Sequence, residues 1–261
     1  MTMNFETLTL TLDAGVATLT LNRPDARNAL NSQMCHELLA AATALSANPD
    51  AKVVLIRGAG SAFCAGADLK ERKTMSVEET TARRVKGFNA YAAIERMPQA
   101  VIAVVHGAAF GSGCEIASSA DFILASEKAT FCYPEVGWGT VGATQRLPRI
   151  AGTRMAKELL FTSRVFAASE AREIGLVNQI YGSSEELVER ATEMAQKIAA
   201  APPLALRLTK RCIDQGVETT RDGAMAIELL AIEENLRKSN WKDVIAGFGS
   251  GTKKEGTGND A

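Results

Sequence analysis

Two glutamates, Glu115 and Glu135, are spaced so that both could reach one binding site. Glu115 comes two residues after Gly113, in the expected first turn of a helix, and Glu135 follows Tyr133-Pro134. Such a pair suits general acid–base work on a carbon next to a carbonyl, with one carboxylate ionised and the other protonated, or with one proton shared between them. Burial and mutual repulsion would raise one pKa above its ordinary value of about 4.3. A glutamate in a first helical turn also compensates the helix dipole, so the prediction depends on the pair.

Two glycine-rich segments could supply backbone donors beside this pair. Small side chains in Gly66-Ala67-Asp68 and Gly111-Ser112-Gly113 let a ligand approach the main chain where a helix is expected to begin. Two amides that converge on one oxygen would form an oxyanion hole, and loss of one such donor typically costs about 2.7–4 kcal/mol of transition-state stabilisation. The alternative is that these glycines only allow a strand and a helix to pack closely, and the segments alone leave both interpretations open.

The residue content argues against several other chemistries. The chain has two histidines, His36 and His106, and no Gly-x-Ser-x-Gly segment, which argues against a serine hydrolase. Five cysteines without Cys-x-x-Cys spacing predict reduced thiols and no zinc site. Phe63 and Ile116 stand where a dinucleotide-binding loop needs its third glycine. We therefore expect no metal site, and we expect carboxylates and backbone amides to do most of the chemistry.

Charge and hydropathy limit the expected partners and location. Lys and Arg total 29 against 30 Asp and Glu, and the net charge of -1 predicts no binding to nucleic acid or to an anionic membrane. The longest strongly apolar run, Ala100 to Val105, is far shorter than the roughly 20 residues that span a bilayer. The N-terminus lacks the basic-then-apolar layout of a secretion signal, so a cytoplasmic protein is expected.

Alternating strands and helices must position the candidate residues. Leucines alternate with threonines on both sides of Asp13-Ala14-Gly15, which predicts an N-terminal hairpin. Apolar runs from Val53 to Arg57 and from Val101 to His106 predict buried strands, each followed by a glycine-rich loop and a helix. A long amphipathic helix is expected from Val77 to Met97. Beyond Gly142 the pattern is mostly helical, so we expect one α/β core followed by a helical C-terminal portion.

These segments resemble the signatures of the crotonase family, the enoyl-CoA hydratases and isomerases. The first signature is matched by Phe63-Cys64-Ala65-Gly66-Ala67-Asp68-Leu69-Lys70. The second is matched by Phe110-Gly111-Ser112-Gly113-Cys114-Glu115-Ile116-Ala117. Further similar segments are Leu21-Asn22-Arg23-Pro24, Phe131-Cys132-Tyr133-Pro134-Glu135 and Thr144-Gln145-Arg146-Leu147-Pro148-Arg149. The similarity covers about residues 5 to 240, in order and at the spacing of the family.

The resemblance implies a site and a reaction. The amides of Ala67 and Ser112 match the oxyanion-hole donors that hold the thioester oxygen of an acyl-CoA. Glu115 matches the glutamate that orients and deprotonates water for attack at C3, and Glu135 matches the one that gives a proton to C2. The implied activity is that of an enoyl-CoA hydratase, a hydro-lyase that adds water across the 2,3 double bond of an acyl-CoA thioester through an oxyanion-stabilised enolate. The resemblance implies no cofactor, since acyl-CoA is the substrate.

The resemblance also implies contacts with the substrate. Four consecutive residues would flank the CoA moiety: Ala67, Asp68, Leu69 and Lys70. Lys70 and Arg23 would lie near the CoA phosphates or adenine. The alternative, that each is an ordinary solvated cation, stays open for both. Trp138 would either line the acyl pocket or fill the interior beside it.

The fold that the resemblance implies is of the α/β class: a spiral of β-β-α units with a helical C-terminal subdomain. We place the spiral core at residues 1–200, the helical subdomain at 201–248 and a disordered tail at 249–261. Family members usually assemble as trimers or paired trimers, so a homotrimer or a dimer of trimers is expected.

Two alternative functions stay open. The segment between Glu135 and Gln145 is shorter than in typical hydratases. The missing residues belong to the loop whose backbone amide helps to hold the catalytic water, and Gly142 would have to supply that amide instead. Poor seating of water would favour another reaction through a thioester enolate: a double-bond shift, a decarboxylation or a retro-aldol cleavage. The second alternative belongs to a different functional class: a subunit that binds acyl-CoA without catalysing a reaction. Isomerases of the family generally keep only the glutamate at the position of Glu135, so the presence of both favours a hydratase.

Overall fold

The computed structural model describes residues 5–246, and the expected disordered tail lies outside them. In this part of the chain the strands are Leu8–Asp13 (β1), Val16–Leu21 (β2), Val53–Gly58 (β3), Ala62–Cys64 (β4), Ala100–Val105 (β5), Ala108–Phe110 (β6), Phe122–Ser126 (β7), Thr130–Cys132 (β8), Val165–Ala167 (β9) and Gln179–Tyr181 (β10). The α-helices are Ser32–Ser46 (α1), Leu69–Arg72 (α2), Val77–Glu95 (α3), Ser112–Ser118 (α4), Arg146–Ala151 (α5), Thr153–Thr162 (α6), Ala168–Glu173 (α7), Ser184–Ala199 (α8), Pro203–Gly216 (α9), Arg221–Lys238 (α10) and Trp241–Ala246 (α11).

The strands form two sheets. The larger has the order β1-β2-β3-β5-β7-β10, in which β1 and β2 form the expected antiparallel hairpin and the other neighbours are parallel. The smaller has the order β4-β6-β8-β9, in which β4, β6 and β8 are parallel and β9 is antiparallel. β3 and β5 are almost wholly buried, as the continuous apolar runs predict.

Successive pairs of strands are divided between the sheets. β3, β5 and β7 join the larger sheet, and the strand that follows each of them joins the smaller one. Helices follow each pair, so the expected spiral of β-β-α units with C-terminal helices is confirmed. The expected direct passage from buried strand through loop to helix is wrong in one respect. A three-residue strand, β4 or β6, lies inside each glycine-rich connection, because its backbone pairs with a neighbouring strand of the smaller sheet.

Helices cover the sheets, and one of them, α4, contacts strands of both sheets. α1 packs against α3, and α8 packs against β3, β5 and β7. The short helix α4 contacts β5 and β7 of the larger sheet and β4 and β6 of the smaller sheet. Five of the seven residues of α4 are therefore buried, and Glu115 is one of them.

The chain divides into two compact units between Pro203 and Leu204. The first unit contains both sheets. In the second, α9 and α10 line an apolar groove and are joined by an ion pair between Arg211 and Glu234 at 3.0 Å. Within residues 5–246 no helix is both long and apolar enough to cross a membrane.

Candidate active site

Glycines let the two glycine-rich connections approach each other. A Cβ at Gly113 would lie 2.2 Å from the carbonyl oxygen of Cys64, so the first turn of α4 packs directly on β4. Gly66 has a φ of +100°, and a Cβ there would lie 3.0 Å from the carbonyl oxygen of Phe110. A larger residue at either position would push two backbone segments apart. The segment before α2 and the segment before α4 therefore meet in space.

The amides of Ala67 and Ser112 are available at this meeting point. Leu30 donates its N–H to the carbonyl of Gly66 at 2.7 Å, and its own carbonyl accepts the N–H of Asp68 at 2.9 Å. Because both neighbours of Ala67 bond to Leu30 on one side, the N–H of Ala67 points to the other side. Ser112 is the first residue of α4, so its N–H has no acceptor within the helix. Both residues line one cavity, as an oxyanion hole requires.

Glu115 is buried beside an arginine. Its side chain is 8% exposed, and its Oε2 accepts a hydrogen bond from Nη1 of Arg146 at 3.0 Å. Its Oε1 is buried and has no hydrogen-bond partner among the described residues. Burial raises the pKa of Glu115, the positive charge of Arg146 opposes that rise, and the charges of Glu135 and Glu95 add to it. The carboxylate therefore has one anchored oxygen and one oxygen left to accept a proton.

Arg146 is itself held from two further sides. Its Nη2 donates to Oε2 of Glu95 at 2.9 Å, and its guanidinium carbon lies 5.8 Å from the centre of the Tyr91 ring. Arg146 belongs to a segment that resembles the family, but its role could not be predicted from the sequence. It is 31 residues from Glu115 in the chain, so no local pattern indicates their contact.

Arg146 is expected to act as a positioning residue for Glu115. In an Arg146→Met variant the rise in the pKa of Glu115 caused by burial would no longer be opposed by an adjacent cation. A base that must be ionised would then work only at higher pH, so the acid limb of the kcat/KM profile is expected to move to higher pH. Measurement of kcat/KM across pH, with the enoyl-CoA substrate that the resemblance implies, checks this shift.

Two further variants control this experiment. Arg146→Lys keeps a cation and is expected to recover part of the shift. Arg190→Met removes an exposed arginine on α8 and is expected to leave the profile in place. An Arg146→Met profile that coincides with that of the wild type would show that Arg146 does not tune Glu115.

Glu135 lies against two glycines of neighbouring loops. A Cβ at Gly111 would lie 3.0 Å from Oε1 of Glu135, and a Cβ at Gly142 would lie 3.1 Å from its Cγ. Burial raises the pKa of Glu135, and a hydrogen bond with its own backbone and then the charge of Arg84 partly oppose this rise. Its Oε2 is buried without a hydrogen-bond partner in the described part of the chain. Among residues 5–246 Glu135 makes no ion pair of the kind that Glu115 makes, so it is the better proton donor and Glu115 the better base.

A cavity of about 120 Å³ joins the two glutamates and the two amides. Six of the nine predicted site residues line it: Ala67, Leu69, Ser112, Glu115, Glu135 and Trp138. Trp138 is 67% exposed, so it borders the cavity and does not fill the interior. Across residues 5–246, no three His, Cys, Asp or Glu side chains are grouped closely enough to bind a metal ion.

The other three predicted residues, Asp68, Lys70 and Arg23, do not line the cavity. Oδ1 of Asp68 accepts the amides of Lys70 and Glu71 at the start of α2, and Oδ2 pairs with Arg23 at 2.9 Å. Arg23 also donates to the carbonyl of Ala29. These bonds hold the segment that presents the amide of Ala67. Contact of the three side chains with CoA stays a prediction.

Three arginines that the sequence analysis did not single out line the cavity: Arg72, Arg83 and Arg84. Arg83 is buried, donates to the carbonyl of Leu30 and lies 3.7 Å from Oε2 of Glu71. The expected helix from Val77 to Met97 includes two of these arginines, but charged residues on an amphipathic helix ordinarily face solvent. Only the packing of α3 shows which of them turn inward.

Sequence comparison agrees with this geometry. The profile of the enoyl-CoA hydratase/isomerase family matches residues 11–253. The short-chain-enoyl-CoA hydratase of Clostridium acetobutylicum is 39% identical over 258 residues, which are 97% of this chain and 98% of that protein. The crotonyl-CoA hydratase of Syntrophomonas wolfei is 40% identical over 250 residues, which are 94% of this chain and 96% of that protein.

Solved structures are also similar over most of the chain. An enoyl-CoA hydratase from Bacillus anthracis superposes with a TM-score of 0.90 at 33% identity, covering 93% of this chain and 96% of that one. An enoyl-CoA hydratase from Mycobacterium smegmatis gives a TM-score of 0.88 at 32% identity, covering 93% and 95%. With its two sheets, its glutamate pair and this similarity along nearly its whole length, the chain belongs to the enoyl-CoA hydratase/isomerase family.

Proposed function

We propose that this protein is an enoyl-CoA hydratase, a hydro-lyase that adds water across the 2,3 double bond of an acyl-CoA thioester. One observation carries the proposal: the carboxylates of Glu115, which is buried, and Glu135, which is half-buried, line the same cavity as the amides of Ala67 and Ser112. The similarity to proteins named enoyl-CoA hydratases supports the same activity.

The proposed reaction begins with the thioester oxygen bound by the amides of Ala67 and Ser112, which draws electron density away from C3. Oε1 of Glu115 accepts a proton from water while the water oxygen bonds to C3. The electron pair of the double bond moves to form an enolate, whose charge is held on the thioester oxygen. Glu135 then delivers a proton to C2 and regenerates the carbonyl. A hydrogen and a hydroxyl have been added, and no cofactor is required.

The protonation states of the glutamates suit these roles. Burial raises the pKa of both carboxyl groups, but only Glu115 lies beside a cation, Arg146, that stabilises its ionised form. At the end of the reaction Glu115 holds a proton and Glu135 has lost one, so proton exchange with solvent resets the pair. Each proton-transfer group contributes on the order of 10²–10⁴-fold in rate, and each amide donor about 2.7–4 kcal/mol.

The proposal is tested by the loss of conjugated enoyl-thioester absorbance with crotonyl-CoA and with branched, aromatic and cyclic enoyl-CoAs. Turnover in ¹⁸O-labelled water is expected to place the label on C3. Absence of turnover with every substrate would overturn the proposed function. Turnover without incorporation of label would instead indicate a double-bond shift.

The proposed assembly is a homotrimer or a dimer of trimers. Family resemblance supports it. The molar mass of the protein in solution, measured by light scattering, is expected to be three or six times 27.7 kDa.

A further inference from the structure

Two arginines in the cavity converge on one hydroxyl group. Nη2 of Arg84 donates to Oγ1 of Thr140 at 2.6 Å, and Nη2 of Arg72 approaches the same oxygen at 3.4 Å. Nη1 of Arg84 also donates to the carbonyl of Val141. Arg72 comes from α2 and Arg84 from α3, and both line the cavity that contains Glu135.

Neither arginine has a carboxylate partner among residues 5–246. The other two arginines near the cavity are paired: Arg146 binds Glu115 and Glu95, and Arg83 lies against Glu71. Within the described part of the chain, the hydrogen bonds of Arg72 and Arg84 go to neutral oxygens. A guanidinium has five N–H donors, so both keep donors that these contacts do not use.

Two cations held together without an anion are electrostatically unfavourable. Burial lowers the pKa of Arg84, and the neighbouring charges of Arg72 and Arg83 lower it further. The guanidinium nevertheless stays protonated at neutral pH. A bound anion would relieve this repulsion, and the planar guanidinium fork matches a carboxylate in particular.

The position of Arg84 indicates which part of a ligand would carry that anion. Thr140 and Val141 belong to the loop that follows Glu135, the residue proposed to act on C2. The charge of Arg84 acts on Glu135, and the nearby lining includes the apolar side chains of Phe88 and Trp138. A short acyl chain that starts at the oxyanion hole and passes Glu135 would bring a terminal group to the arginines.

We infer that Arg84, assisted by Arg72, binds a carboxylate at the far end of the acyl group, so the favoured substrates are enoyl-CoA thioesters whose acyl chain carries a second carboxylate. This inference rests on the proposed hydratase function and specifies its substrate class. Arg84 is a specificity-determining residue, and the apolar side chains beside it contact the methylene groups between the two ends.

The test uses matched substrate pairs. Trans-2-enoyl-CoAs of five, six and seven acyl carbons are prepared with a terminal carboxylate or with the terminal primary amide of the same length. The two members of a pair have the same shape and differ in charge. For at least one length, wild-type kcat/KM for the carboxylate is expected to exceed that for the amide about 10- to 100-fold.

Three variants assign the preference to Arg84. Arg84→Gln is expected to bring the carboxylate-to-amide ratio to about one, and Arg84→Lys to keep an intermediate ratio. Lys86→Gln removes the same charge from the exposed side of α3 and is expected to keep the wild-type ratio. Thermal unfolding of each variant shows whether it is folded.

The outcomes separate this inference from the proposed function. A wild-type ratio at or below one for all three lengths would overturn the inference, while hydration of the amides would uphold the hydratase activity. A carboxylate-to-amide ratio that Arg84→Gln leaves unchanged would also overturn the inference. That result is expected if these arginines bind the CoA phosphates, which both substrates carry. Absence of hydration with every enoyl-CoA would overturn the proposed function itself.

Discussion

The Glu115→Gln variant is expected to hydrate crotonyl-CoA with a kcat about 10²- to 10⁴-fold below that of the wild type. Glutamine has nearly the same size, but it cannot accept the proton of the attacking water. The amides of Ala67 and Ser112 would still bind the thioester oxygen, so the loss is expected in kcat with little change in KM. Initial rates followed by enoyl-thioester absorbance measure both constants.

Glu193→Gln on α8 provides the matched control, because its side chain is 54% exposed and the substitution is chemically the same. This variant is expected to retain the wild-type kcat. Unfolding midpoints establish that both proteins are folded, since Glu115→Gln also removes the ion pair with Arg146. A folded Glu115→Gln protein with a kcat within about tenfold of the wild type would contradict the assignment of Glu115 as the base.

The Gly113→Ala variant is expected to lose about 3 kcal/mol of the free energy of unfolding, together with most of its activity. The new Cβ would lie 2.2 Å from the carbonyl oxygen of Cys64 and 3.0 Å from its Cβ. Neither atom is the end of a flexible side chain, so α4 must move away from β4. That movement displaces the amide of Ser112 and the carboxylate of Glu115. Chemical denaturation measures the stability, and kcat/KM measures the damage to the site.

Gly216→Ala is the control for this substitution. A Cβ at Gly216 would lie 3.5 Å from Cβ of Ala224, which is an ordinary contact, so stability is expected to change by less than about 1 kcal/mol. If Gly113→Ala unfolded at the same denaturant concentration as Gly216→Ala and kept full activity, the close approach of α4 to β4 would not be what holds the site.

The long elements could be predicted from the sequence because their hydrophobic patterns are local. The helix expected from Val77 to Met97 is observed at Val77–Glu95, and the strand expected from Val101 to His106 is observed at Ala100–Val105. The three-residue strands of the smaller sheet could not be predicted. A segment such as Ala62–Cys64 is too short to show a period, and it is a strand because a distant segment pairs with it.

The candidate site, too, could be predicted only in part from the sequence. Residue type and spacing singled out Glu115 and Glu135, and both line the cavity. Arg23 and Asp68 were expected near the CoA moiety; in the structure each bonds the other and the neighbouring backbone, and their contact with CoA stays a prediction. Asp68 is ambiguous in sequence because a carboxylate before a helix can bind a ligand or cap the helix. Only the direction of its side chain distinguishes the two.

The sequence by itself determined the available chemistry: two carboxylates, two segments able to present free amides, and the spacing typical of one enzyme family. Only the tertiary structure decided which charged side chains lie next to one another. Arg146 pairs with Glu115 across 31 residues of chain, and Arg84 reaches Thr140 across 56. A pKa depends on burial and on charges nearby in space, and neither quantity is a property of local sequence. Which glutamate is suited to act as base, and which arginines have no carboxylate partner in the described part of the chain, therefore depends on the packing of α2, α3, α4 and α5.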